Sequence, residues 1–201
     1  TTGTVTVTNA VAISGNTSES TAAWVTTGSL VEVSDATVTL SDTPSISALN
    51  AIAGKTTGVV TATLAADSLS NLGSLTTAGT DAITITVNDA DAASVTAANL
   101  STLGGKTSGT VTVTNAVAIS GSRAEATAAL VTSGSLVEVS DAAVTINDAD
   151  GVALNATVLS AIGAKTTGTV TVTNAVAISG SRAEATAALV TSGSLVEVSD
   201  A

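Results

Sequence analysis

Sixteen carboxylates, five cations and no histidine or cysteine bound the chemistry open to this 201-residue chain. Hydroxyl nucleophiles paired with histidine, thiol catalysis and histidine-based metal sites are excluded. Oxygen ligands remain. The segment NDADG at Asn147–Gly151 resembles the opening of a calcium loop, in which closely spaced oxygens and a glycine turn wrap a hard cation. Asn147, Asp148 and Asp150 are therefore the candidate calcium ligands. The glutamate that would close such a loop is missing, and the related VNDADA at Val87–Ala92 lacks the glycine. The competing reading, a turn with a helix-capping aspartate, is favoured, and no other cofactor is expected.

The remaining candidates each have a simpler structural reading. Glu32, Glu138 and Glu197 recur at one place in Val-Glu-Val strands, as a solvated column of charge and not as an acid/base pair. Thr-x-Thr-x-Thr rows at Thr4–Thr8, Thr110–Thr114 and Thr169–Thr173 could order water as an ice-binding array. Alternate coils put Val-Glu-Val there, so strand propensity explains the threonines better. The GKTTG phrase lacks phosphate-loop spacing; its lysines belong near helix ends, where they complement the dipole. Trp24, the only aromatic, replaces Leu130 and Leu189 of later copies and reads as core filling or an edge anchor.

Such residues have to be positioned by a core without Phe, Tyr or Met, built from Ala, Val, Leu and Ile. A core of these is thin, which suits stacked repeats. A formal charge of −11 disfavours nucleic acid. No apolar run approaches the roughly 20 residues of a spanning helix. No catalytic apparatus is visible, and the chain reads as a non-enzyme.

TVTVTNAVAISG occurs at Thr4–Gly15, Thr110–Gly121 and Thr169–Gly180. Gly109–Ala142 and Gly168–Ala201 are identical, and Gly3–Ala36 departs from them only at Asn16, Thr17, Ser18, Ser20, Trp24 and Thr27. Full repeats run over approximately 3–57, 58–108 and 109–167, with a partial one at 168–201. Each divides into two coils of about 21–34 residues with one grammar. An alternating strand (TVTVT, VEV or ITITV) leads to an Asn/Asp corner at Asn9, Asp35, Asp89, Asn115, Asp141, Asn174 or Asp200. A second strand, VAIS or VTIN, and a short helix follow.

Capping boxes start the helices at Ser122/Glu125, Ser181/Glu184 and Asn16/Glu19. Thr43-Pro44 reads as a cap followed by proline at the first helical position. Ala124, Thr127, Ala128 and Val131 fall at helical spacing, as a core face. Gly28, Gly54, Gly79, Gly134, Gly163 and Gly193 read as helix stops. The pattern predicts a right-handed parallel α/β solenoid over residues 1–201, with an all-β parallel β-helix as the alternative. The opening Thr1-Thr2-Gly3, inside a KTTG phrase, and the closing VEVSDA predict an excerpt of a longer array.

Ala48–Leu72, together with NLSTLGGKTSGTVTV and VLSAIGAKTTGTVTV, resembles repeats of giant exported, adhesin-like or haemolysin-type proteins of cyanobacteria and other Gram-negative bacteria. The resemblance implies an extracellular or cell-surface location and a role in adhesion, surface layers or filaments. The glycine- and aspartate-rich calcium nonapeptides of that wider family do not occur here. The expected function is structural: a stalk, filament or surface-layer segment that associates end to end or side by side. The alternative is a repetitive binding module for carbohydrate, calcium or ice.

Overall fold

The computed structural model describes residues 2–28, 30–132, 134, 137–191 and 196–198. Alternating valine and threonine produce short strands, and a capped helix follows most strand pairs. The first unit comprises β1 (Val5–Val7), β2 (Ala12–Gly15) and α1 (Thr17–Trp24); the second, β3 (Val31–Val33), β4 (Thr37–Leu40) and α2 (Ile46–Ala53). The third has β5 (Val60–Thr63) and α3 (Leu69–Leu72), and the fourth β6 (Ala82–Val87), β7 (Ser94–Thr96) and α4 (Ala97–Gly104). The fifth has β8 (Val111–Val113), β9 (Ala118–Gly121) and α5 (Arg123–Ala126), which runs into a π-helical turn at Thr127–Val131. The sixth has β10 (Val137–Val139), β11 (Ala143–Ile146), β12 (Ala153–Asn155) and α6 (Ala156–Gly163); the seventh has β13 (Val170–Val172), β14 (Ala177–Ser179) and α7 (Arg182–Leu189). Strand β15 (Val196–Val198) follows.

The class is α/β. Seven α-helices among the described residues overturn the all-β alternative. Every strand pair among them is parallel, and each joins neighbouring units. The sheets are β10-β8-β6-β5-β4-β2, β15-β13-β11-β9-β7, and the pairs β1-β3 and β12-β14. Two kinds of step occur. In an aligned step, like pairs with like: β8 with β10 and β9 with β11. In a shifted step, the second strand of one unit pairs with the first of the next: β4 with β5 and β11 with β13. The six-residue β6 bridges two rows, meeting β5 along Ala82–Thr84 and β8 along Ile85–Val87.

Burial follows the alternation. Val144, Ile146, Val170 and Val172 point inward, and Leu100, Leu103, Leu159 and Ile162 cover them from the helices. Buried residues from Trp24 to Val196 form one cluster. Each fully buried Leu or Ile contributes about 1.5–3 kcal/mol, so many thin layers substitute for one thick core.

Several local expectations change. Ser45, not Thr43, caps α2, accepting from the Ala48 amide at 3.2 Å, so Pro44 lies before the cap and not at the first helical position. The core face of the fifth-unit helix is Ala126, Ala129 and, as expected, Leu130; Ala124 is exposed, and so are its counterparts Ser18 in α1 and Ala183 in α7, which have no π turn. Gly54 caps α2 at φ −68, an ordinary helical value, and Ala164 holds the same place after α6, so a left-handed stop is not what selects glycine there. Gly163 is the last residue of α6, and Gly79 lies in the turn before β6. Gly193 and Asp200 lie outside the described residues. All three capping boxes form as expected.

Candidate functional site

The calcium candidates have different backbone partners. The Asp148 carboxylate accepts from the Arg123 amide at 2.6 Å, and that of Asp150 from the Ala175 amide at 3.1 Å. The Asn147 amide donates to the Gly121 carbonyl at 3.0 Å. Asp148 thus serves the N-terminus of α5 in the preceding unit, while Asp150 fixes the corner of the following one. Among the described residues, no three acidic side chains gather in a group that could hold a metal ion.

The capping aspartate recurs. Asp42 accepts from the Thr17 amide at 2.8 Å and from its hydroxyl at 2.7 Å, and Asp89 accepts from the Leu69 amide at 2.7 Å. Thr17, Leu69 and Arg123 each open a helix, where amides lack intrahelical partners. Each of these helices is therefore capped twice, by its own Ser or Asn and by an aspartate of the next unit. The Thr17 hydroxyl, and secondarily its amide, hold the Asp42 carboxyl below its ordinary value against a desolvation penalty. Glu125 is lowered first by the Ser122 amide and then by its hydroxyl; Glu184 by the Ser181 amide, the Thr157 hydroxyl and the Ser181 hydroxyl.

The KTTG and KTSG phrases form the most constant polar device. The first hydroxyl after lysine turns inward: Thr56, Thr107 and Thr166 donate to the carbonyls of Ala36 (2.6 Å), Ile83 (2.7 Å) and Ala142 (2.6 Å) in the preceding unit. The same oxygens accept from the amides of Gly58, Gly109 and Gly168. The glycine is a steric requirement. A Cβ there would lie 2.3 Å from the Ala36 oxygen at Gly58, 2.4 Å from that of Ile83 at Gly109 and 2.4 Å from that of Ala142 at Gly168. The following Thr57, Ser108 and Thr167 bind the carbonyls of Ser34, Asp81 and Ser140 through their amides. Lys106 Nζ donates to the carbonyls of Leu75 and, at 2.8 Å, of Gly73, the C-cap of α3, in keeping with the expected helix-end lysine. The motif and a segment of the preceding unit, Ser34–Ala36, Asp81–Ile83 or Ser140–Ala142, are two halves of one clamp. The sequence signal for it is the recurrence of KT(T/S)G one coil after an Asp-Ala pair, at Asp35-Ala36, Asp81-Ala82 and Asp141-Ala142.

Asp81 was not singled out from the sequence, yet it is buried, and both its carboxylate oxygens accept backbone amides, from Val60 at 2.8 Å and Ala78 at 2.9 Å. Glu32, Glu138 and Glu197 are exposed and stand in register with Thr6, Thr112 and Thr171. Val-Glu-Val thus interrupts the threonine column on one side, as expected. On the other side, the shifted step brings AVTI against TVTV, and Thr96, Ser120, Thr145 and Thr171 line up on consecutive strands. A cavity of about 360 Å³ lies between Trp24, Gly28, Glu32 and Lys55, but the indole is itself buried and forms its wall. Arg123 reaches the Ala153 carbonyl at 3.1 Å, another bond between units. No helix among the described residues is long and apolar enough to cross a membrane. No protein-family model, curated protein or solved structure matches this chain.

Proposed function

We propose that the chain is a structural repeat protein: a continuous right-handed α/β solenoid over residues 1–201 that supplies length and stiffness to an extracellular stalk, filament or surface layer. The observation that carries this reading is the investment of the constant polar residues in holding one unit to the next. The KT(T/S)G clamp, the double helix caps and the parallel ladders all act between sequential units, as in arrays whose stability is a sum over neighbours. Right-handed crossovers are the rule for parallel strands joined by a helix. Its work is mechanical and not catalytic, and Glu32, Glu138 and Glu197 keep neighbouring columns from collapsing together. Asp148 and Asp150 serve it as backbone acceptors that tie one unit to the next. Immunogold electron microscopy of the source cells tests the role: label along surface fibres or layers is expected, and label confined to the cell interior overturns it.

One observation favours a second reading. The hydroxyl file Thr96–Ser120–Thr145–Thr171 repeats at the strand spacing of about 4.8 Å, as a face that binds a regular surface such as ice or a polysaccharide would. Thermal hysteresis, or retention on an insoluble glycan, would establish it.

A further inference from the structure

Unit three is short. It has the single strand β5 and the one-turn helix α3 of four residues, whereas α2 and α4 have eight each. At about 1.5 Å per residue, α3 spans about 6 Å and α4 about 12 Å, so α3 cannot cover the length of its neighbour. The seam between them stays open. Two depressions of about 250 and 190 Å³ lie along it, and Leu69, Ser70 and Asn99 line both, which makes them one trough. Together they reach the lower part of the range of about 300–1,000 Å³ in which small-molecule sites fall.

The lining selects among ligands. Beneath the trough lie the buried side chains of Leu69, Val95 and Leu103, an apolar floor. Its walls carry the exposed Ser70, Ser94 and Asn99. Among the described residues the Asn99 side chain has no hydrogen-bond partner, and neither has the hydroxyl of Ser70 or Ser94; only the Asn99 backbone amide is engaged, by Thr96. A carboxamide and a hydroxyl each both donate and accept. The charged groups at the two ends are already in use. Asp89 accepts from the Leu69 amide at 2.7 Å, and Lys106 donates to the carbonyls of Gly73 and Leu75. An ionic ligand finds no unengaged counter-charge here. A neutral polyol, whose every hydroxyl both donates and accepts, matches the walls.

We propose that the α3–α4 trough binds a neutral saccharide. Asn99 takes two adjacent sugar hydroxyls through Oδ1 and Nδ2, Ser70 and Ser94 take others, and Leu69, Val95 and Leu103 meet the C–H face of the ring. Apart from Thr96, the site shares no residue with the hydroxyl file on the strands, and it goes beyond the structural role without depending on it.

The test follows NMR spectra of the isotope-labelled full chain during titration with the methyl glycosides of glucose, galactose, mannose and N-acetylglucosamine. N-acetylneuraminic acid is the anionic control. Saturable shifts of the Asn99 side-chain amide and of the Ser70 and Thr102 backbone amides are expected at millimolar concentrations of at least one neutral sugar. Asn99→Ala removes no side-chain bond within the chain and is expected to weaken binding at least about tenfold, as the loss of two hydrogen bonds does. Ser70→Trp fills the trough from an exposed position and is expected to abolish binding. Both variants are expected to keep the unfolding temperature, and Asn99→Ala alone decides should Ser70→Trp not fold. The proposal is overturned by no saturable shift up to about 100 mM sugar, roughly 100 times a millimolar Kd, by binding indifferent to either folded variant, or by equal binding of the anionic sugar. Shifts confined to Thr145 and Thr171 also overturn it, and place the sugar on the strand face instead.

Discussion

The hydroxyl of Thr166 occupies a place that no apolar isostere can fill. It satisfies the Ala142 carbonyl and the Gly168 amide together in a buried setting, and removing it strands both. Thr166→Val is expected to cost about 1–3 kcal/mol in a denaturant titration, the penalty for leaving a buried group unpaired. Gly168→Ala should cost a similar about 1–3 kcal/mol for another reason, backbone displacement by an overpacked methyl. Acid acts on a different set. Asp42, Glu125 and Glu184 titrate lower in the folded chain than in the unfolded one, so on acidification the unfolded chain takes up protons first. Their contribution is complete above the ordinary carboxylate value and drains away as pH falls through the lowered folded values. A melting-temperature series from neutral pH into that acidic range is expected to fall. The triple variant Asp42→Asn, Glu125→Gln, Glu184→Gln is expected to be less stable at neutral pH and to show a shallower decline; an equal slope would contradict the caps.

At the level of elements, place in the stack outranks local sequence. Leu130 and Leu189 sit in identical sequence contexts, yet Leu130 is 3% exposed and Leu189 38%. Leu130→Ala is expected to cost about 2–5 kcal/mol and Leu189→Ala under about 1 kcal/mol by thermal or denaturant unfolding. The strands, corners and capping boxes were legible because each is specified within a few residues: the Val/Thr alternation, Asn115, and Ser122 with Glu125. The shifted step was not. Whether β13 meets β10 or β11 depends on how the SDA corner receives Gly168, a contact between residues distant in sequence. The buried helix face was partly hidden for a related reason: Leu130 was legible as core, but helical spacing grouped Ala124 with Thr127, Ala128 and Val131, and packing against α4 and α6 buries Ala126 and Ala129 instead. The calcium reading of Asn147, Asp148 and Asp150 rested on oxygens close in sequence, while the fold turns the two carboxylates to amides of different units.

For the whole molecule, the account depends on each unit lying in parallel register on the one before it, through aligned and shifted steps. The chain has no cysteine, so introduced pairs report without background. Thr145 and Thr171 are register partners on β11 and β13, about 4.8 Å apart by strand spacing and within disulfide reach, whereas among the described residues β10 pairs with β8 alone. Oxidation of the double variant Thr145→Cys, Thr171→Cys is expected to give a crosslinked monomer by peptide mapping, while Glu138→Cys with Thr171→Cys stays reduced. The opposite outcome, a bond from position 138 and none from 145, would contradict the shifted step and the stacking built on it.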